Sequence, residues 1–461
     1  MGDRATAIRF YNKAVATAND PSNPKHKELA FEQFSSVIGA DPTWWNGYFQ
    51  YGNNTSDLRM IEAAVAAWRR ALNCKMESDE RAKVLSNLSW RLHDLGRIEE
   101  ALGYATLAVA LTPDEPNPHI NLAVIYGTLG IAHRAVHHAQ IAKKLAPDNT
   151  IAGMALSFAL LFDRQLAAGF KEFEVRYKYR LKNFLQYPYP VWQGEPGRRV
   201  FLVADQGLGD TICFARFVAQ AAQRCAYLHI YVQPELLRWF THAFIRLPNV
   251  NLIPFQINCP FPAADAWTTF VSLPFGLGLT DDEIRNAPNI DYPVYGLPKS
   301  WKVSDQKLHV GIAWAGSPLN DIDQHRSIPV KHFLDLYRVP GVQLYSLQMG
   351  ERLNDLHQCG AGGLIRDLSP YVADVCSTIG LLQELDLVIC CESALGHICS
   401  AVGKEAWIPY SFLGRDWRAG HSGDDYIWAP KHRVFRQGPD MRWEPVFDQI
   451  VRALEERTCN A

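Results

Sequence analysis

Three polar stretches of this 461-residue chain follow apolar runs, and each holds residue types that do chemistry. The first is VADQGLGDTICFARF, from Val203 to Phe217. Its apolar run stops at Asp205, Gly207 and Gly209 allow a tight turn, and Asp210 opens a second apolar run. A carboxylate between a strand and a helix can act as a general base at the edge of a sheet. The same residue can be a first-turn acid favoured by the helix dipole. The stretch is not the dinucleotide fingerprint, because Ile212 stands where the third glycine of G-x-G-x-x-G belongs, and no G-x-x-x-x-G-K-[ST] loop occurs.

The second stretch, LDLVICCESALGHICSAVG, repeats that layout. An apolar run ends at Cys391, Glu392 and Ser393 open a helix, and His397 follows about one turn later. Free N–H groups at such a helix start can receive a diphosphate. The alternative is an N-cap at Ser393 and a half-buried helix histidine at His397. The third stretch, WAGSPLNDIDQHRSIP, offers Arg326, whose guanidinium can hold a phosphate through two parallel hydrogen bonds. Asp321 and Asp323 in this loop have D-x-D spacing, but no metal is expected, because acidic pairs are common in loops. His133 and His137 share a helix face with no third ligand in view, so a wet face is expected there rather than zinc.

The elements that must position these residues change character along the chain. NLSWRLHDLGRIEEALGYATLAVALTP and NLAVIYGTLGIAHRAVHHAQIAKKLAP align with Asn87, Leu88, Leu95, Gly96, Ala101, Ala108 and Pro113 recurring as Asn121, Leu122, Leu129, Gly130, Ala135, Ala142 and Pro147. The offset is the tetratricopeptide period of about 34 residues. Alanines let paired helices approach, the Leu-Gly pair ends the first helix, and proline blocks extension of the second. LAFEQFSSVIGADP and IEAAVAAWRRALNC read as further copies, and GFKEFEVRYKYRLK reads as a capping helix. Residues 1–185 are therefore expected to form an α-solenoid. QYPYPVWQGEPGRR, with three prolines and three aromatics, reads as a junction. Beyond it, strand-like runs such as RVFLVAD, YLHIYVQ, LHVGIAWAG and LDLVICC alternate with amphipathic stretches. That alternation predicts parallel doubly wound sheets. Two Rossmann-like halves, 186–298 and 299–461, give an α + α/β chain with a cleft between the halves.

Bulk composition narrows the function classes. Net charge is −2 with no long basic run, which argues against nucleic acid as a partner. No stretch is long and uncharged enough for a transmembrane segment, and the ten cysteines lack C-x-x-C pairs, as expected of a reduced cytoplasmic protein.

From about Trp192 to Arg452 the chain resembles the family nine, heptosyltransferase-like glycosyltransferases, and more closely the bacterial proteins that fuse tetratricopeptide repeats to such a domain. The matching pieces are GFKEFEVRYKYR, DQGLGDTICFARF, VQPELLRWF, VGIAWAGSP, HRSIP, YSLQMG, LDLVICCESALGH, SAVGKEAWIPYSFLGRDWR and RVFRQ. The layout is also similar to that of O-linked N-acetylglucosamine transferases. The resemblance implies a GT-B fold, a nucleotide-diphosphate sugar as co-substrate, and no cofactor or metal. It places Asp210 as the base that deprotonates the acceptor, on a loop shaped by Gly207 and Gly209. It places Arg326, Gly316, Ser317, Glu392, Ser393 and His397 around the donor. It implies a protein acceptor held by the repeats, with Asn87 and Asn121 in register along one groove. The sequence departs from the family at Asp205, where glutamate is usual, and at Glu392, Ser393 and Gly396, where Asp-Thr-Ala-x-Ala-His is usual. The stretch after Asp416-Trp417-Arg418 also differs. Two other functions fit the same residues: an inert, transferase-like scaffold, and a transferase acting on an envelope glycolipid or oligosaccharide.

Overall fold

The computed structural model describes every residue except 1, 181–186, 205–206, 257–259, 294–300, 303–307, 319–322, 415, 424–425 and 460–461, and the side chains of 179 and 180. Two compact units make up the chain, Met1–Ala159 and Leu160–Ala461.

The first unit is a helical-repeat solenoid. Its helices are α1 (Arg4–Ala18), α2 (His26–Ala40), α3 (Trp45–Asp57), α4 (Ile61–Leu72), α5 (Ser78–Asp94), α6 (Ile98–Leu111), α7 (Pro116–Thr128) and α8 (Ala132–Leu145), followed by α9 (Thr150–Phe162), whose last turn belongs to the second unit. Consecutive helices pack on each other as hairpins. The alanines that mark the repeat do so because they have no side chain to hold the helices apart. Ala30, Ala64, Ala71, Ala101, Ala108, Ala135 and Ala142 are all fully buried. The Leu-Gly pairs end their helices as the sequence requires. Gly96 and Gly130 have φ of 72° and 77°, and the amides of Arg97 and Ile131 reach back to Leu92 O at 2.8 Å and Tyr126 O at 2.9 Å. That is a left-handed cap with its six-to-one bond. The same cap closes α3 with Arg59 (φ 61°) and α9 with Arg164 (φ 65°) in the glycine's place, which hides those hairpins from a Leu-Gly search.

The helices α10 (Leu166–Phe173) and α11 (Arg176–Arg180), expected to cap the solenoid, pack inside the second unit instead. Phe170 is buried edge-on against Phe214 and Trp417, with ring centroids 5.5 and 5.6 Å apart. Arg176 is buried too, and donates to Thr269 Oγ1 at 2.8 Å and Ser272 Oγ at 2.6 Å.

The second unit holds two parallel sheets. In the first half β1 (Arg199–Val203), α12 (Leu208–Phe214), α13 (Val218–Arg224), β2 (Tyr227–Val232), α14 (Leu237–Phe244), β3 (Val250–Pro254) and β4 (Ala266–Thr269) precede short helices α15 (Leu273–Gly276) and α16 (Asp281–Arg285). The second half runs β5 (Leu308–Ala313), α17 (Asp323–Arg326), β6 (Val342–Ser346), α18 (Asp355–Gln358), β7 (Arg366–Asp367), α19 (Val375–Glu384), β8 (Leu387–Cys390), α20 (Ala394–Ala401), β9 (Ala406–Tyr410), β10 (His432–Arg436) and α21 (Glu444–Cys459). The sheets are ordered β3-β2-β1-β4 and β10-β9-β8-β5-β6-β7, with every pairing parallel. Numbered within each half, both share the doubly wound 3-2-1-4 arrangement, which opens a crevice where the strand order reverses. The strands are apolar on both faces, as β5, β6, β8 and β9 show by their burial, because helices cover both sides.

Candidate functional site

The first switch-point loop follows β1. Gly207 is the N-cap of α12 with extended backbone, and its carbonyl accepts from the amides of Asp210 (3.1 Å) and Thr211 (3.2 Å). Asp210 is thereby held in the first turn, half-buried; Asp205 lies outside the described residues. Gly209 and Cys213, one turn apart, form a single face of α12 that packs on α20 of the other half. A side chain at Gly209 would bring its Cβ to 2.4 Å from His397 Cδ2 and 3.3 Å from the Ala394 Cα. Only glycine allows this approach. Cys213 Sγ lies 3.2 Å from His397 Nδ1, so His397 is gripped by both members of that face.

The second loop follows β8. Cys391 is fully buried, Glu392 and Ser393 are half-buried, and Ser393 is the N-cap of α20 with no side-chain capping bond. The loop after β9 brings in a residue to which the sequence reading gave no role. Asp416 accepts from the Arg418 amide at 2.9 Å and from Arg418 Nε at 3.0 and 2.7 Å. Arg418 is 7 % exposed, and its Nη1 lies 3.7 Å from Asp210 Oδ1. Three polar atoms here are buried with no hydrogen-bond partner among the described residues: Glu392 Oε2, Ser393 Oγ and Arg418 Nη1. An acceptor, a hydroxyl and a cationic donor gathered without protein partners are a set that suits a polar, anionic ligand. The signal that could have found Arg418 is its place: an acid and an arginine two apart, just past a buried strand of the second sheet.

The third loop follows β5. Gln348 fixes its start, accepting from the amides of Trp314 (3.1 Å) and Ala315 (3.0 Å). Arg326 lies over Gly316, where a Cβ would come 2.3 Å from Nη2. Its Nε bonds Asp323 at 3.2 Å, so the acid read as half of a D-x-D pair is engaged by the arginine; Asp321 lies outside the described residues. Ser317 is exposed. No group of three or more His, Cys, Asp or Glu among the described residues is placed to hold a metal.

Electrostatics tie the loops together. Burial pushes Glu392 up to about 8; Asp416 and Asp210 add to the rise, and Arg418 and Arg326 oppose it. Burial holds His397 well below its ordinary value, assisted by Arg418, His432, Arg326 and Arg216, so the imidazole is neutral. Burial raises the Cys213 thiol to about 11. Asp210, Arg326, Glu392, Ser393 and His397 are thus one neighbourhood, joined by Arg418, Asp416 and Cys213.

Asn87 and Asn121 belong to the first unit. They are in register, but their amides bond neighbouring helices. Asn87 Nδ2 donates to Asn53 Oδ1 at 2.9 Å, and buried Asn121 donates to Ser86 O, Ser86 Oγ and Ser89 Oγ at 2.8, 3.1 and 3.0 Å. The reason is burial, which obliges an amide to find protein partners. Asn53, a whole period before Asn87, was missed as a member of this ladder. His133 and His137 are exposed. No described helix is long and apolar enough to cross a membrane.

No protein-family model matches the chain. It is similar to protein FlbA of Caulobacter vibrioides, at 22% identity over 99% of this chain and 82% of FlbA. Among solved structures, MamA of Desulfovibrio magneticus aligns with 40% of this chain and 99% of its own, at 16% identity and a TM-score of 0.33. PilF of Pseudomonas aeruginosa aligns with 40% of this chain and 79% of its own, at 17% identity and a TM-score of 0.33.

Proposed function

We propose that the second unit is a glycosyltransferase of GT-B type, moving a sugar from a nucleotide-diphosphate sugar to an acceptor hydroxyl with inversion. The observation that carries this reading is the buried, unsatisfied trio Glu392 Oε2, Ser393 Oγ and Arg418 Nη1 beside Asp210. A diphosphate offers acceptors to Arg418, Arg326, Ser393 and the first amides of α20, while a sugar or ribose hydroxyl offers a donor to Glu392. Asp210 takes the acceptor's proton. The acceptor oxygen bonds to the anomeric carbon from the face opposite the leaving group, and the bond to the diphosphate breaks with its electrons on the phosphate oxygen. Two guanidiniums stabilise that developing charge before it forms, which is where electrostatic catalysis is most effective. The pair of doubly wound sheets, each contributing loops at its switch point, supports a donor and an acceptor side.

The acceptor is a protein bound by the solenoid, since stacked hairpins form an extended surface; half-buried Asn53 and Asn87, rather than buried Asn121, are the ladder members that support this reading. Calorimetric titration with UDP, GDP, ADP and CDP tests the donor site. One of them is expected to bind, with Arg326→Ala weakening it; an inert protein would return the scaffold reading. Intact-mass analysis of co-expressed candidate proteins tests the acceptor: a sugar-sized gain supports a protein, and transfer only to lipid or oligosaccharide overturns it.

A further inference from the structure

Cys213 has no place in the reaction above, yet it is 3 % exposed and its sulfur makes one polar contact among the described residues, to His397 Nδ1 at 3.2 Å. The two residues come from different halves of the second unit, Cys213 from the helix after β1 and His397 from the helix after β8. The opposite edge of the imidazole, Cδ2 and Nε2, lies over Gly209, with Nε2 3.3 Å from where a Cβ would stand. Gly209 adjoins Asp210, so that edge faces the loop of the proposed base. His397 Nε2 has no hydrogen bond to a described residue.

We infer that Cys213 is a positioning residue: its S–H donates to His397 Nδ1 and so fixes the ring as the Nε2–H tautomer, a neutral donor aimed past Gly209 at the ligand bound beside Asp210. The tautomer of a histidine follows from what its other nitrogen bonds: a donating thiol needs an unprotonated Nδ1, and the opposite direction would leave Nδ1–H with sulfur, a weak acceptor. The raised thiol and the neutral imidazole agree with that direction. His397 is then a ligand donor and not a second base. Its use for a nucleotide diphosphate rests on the function proposed above; the tautomer itself does not.

Selective histidine 15N labelling with long-range 1H–15N correlation reads the tautomer directly in the full chain. His397→Gln identifies the signals among fifteen histidines. The parent should show protonated Nε2 and bare Nδ1, Cys213→Ser should keep that pattern, and Cys213→Ala should lose it. Protonated Nδ1 in the parent overturns the inference. In parallel, Cys213→Ala should weaken the diphosphate that the parent binds best by about tenfold, the scale of one oriented hydrogen bond, while Cys213→Ser stays within about twofold. Equal losses in the two variants, or none in either, would reduce Cys213 to packing. A parent that binds no nucleotide diphosphate overturns the glycosyltransferase reading, and the tautomer measurement still decides the Cys213–His397 arrangement.

Discussion

Arg418 Nη1 lies 3.7 Å from Asp210 Oδ1, so the carboxylate proposed as base and the buried cation proposed for the donor touch across the two halves of the second unit. Arg418 is anchored independently, by Nε on Asp416. Removing the Asp210 charge therefore leaves the guanidinium in place. Asp210→Asn is expected to retain nucleotide diphosphate affinity within a few-fold while transfer falls at least about a hundredfold, the scale of a lost general base. Unchanged turnover in a folded variant would remove Asp210 from the chemistry.

Arg418→Ala strands the buried Asp416 carboxylate, which keeps only Tyr426 Oη, at 3.3 Å, among its side-chain donors from the described residues. Leaving one partner of a buried ion pair costs about 3–5 kcal/mol, so the urea midpoint should fall steeply. The double variant Asp416→Asn/Arg418→Met should recover part of that stability without recovering ligand affinity. A double variant no more stable than Arg418→Ala would show that the pair is not the source.

Gly316 and Arg326 should behave as one unit. Gly316→Ala puts a methyl where the guanidinium lies, at 2.3 Å from Nη2, and must displace it. Binding of nucleotide diphosphate should weaken in Gly316→Ala as it does in Arg326→Ala, and the double variant should be no worse than Arg326→Ala alone. Additive losses measured by calorimetry would separate the two residues.

Stability should carry the mark of Glu392. Its folded pKa of about 8 is above the ordinary 4.5, so the folded protein holds a proton that the unfolded chain has lost. With more protons bound in the folded state, stability falls as pH rises, beginning near 4.5 and levelling off above about 8. Glu392→Gln, which cannot ionise, should flatten that limb and be more stable than the parent at pH 9. Parallel pH profiles of the two proteins in chemical denaturation would rule this out.

In the first unit, Asn121→Ala abandons the buried oxygens of Ser86 and Ser89, and should cost about 1–3 kcal/mol. Arg59→Gly should do the opposite, gaining about 1 kcal/mol, because φ of 61° strains any residue with a Cβ. Thermal unfolding of the two variants should shift in opposite directions; a neutral Asn121→Ala would place its amide outside the folding balance.

The repeats were legible because alanine and Leu-Gly each answer to a local demand, close helix contact in one case and a left-handed cap in the other. Where Arg59 and Arg164 meet that demand instead, the period disappears from the letters though not from the backbone. Asp210, Glu392, Ser393 and His397 could be picked out because they sit just past apolar strands, the place where a doubly wound sheet opens. Arg418 sits in such a place too, past β9, but what matters about it and about Cys213 is the partner, and the partner is fixed by how the two halves dock. The same limit hid the fate of GFKEFEVRYKYR: an amphipathic helix declares that it is buried but not against which neighbour.

Four polar ties in the solenoid join nearest hairpins: Asn87 to Asn53, Arg91 to Ser56, Asn121 to Ser86 and His93 to Thr128. Each such tie couples a hairpin to its neighbour, as in a one-dimensional chain of coupled spins. Unfolding of this unit should advance from its free end like a zipper, and amide exchange should grade outward from α5 and α6 to α1.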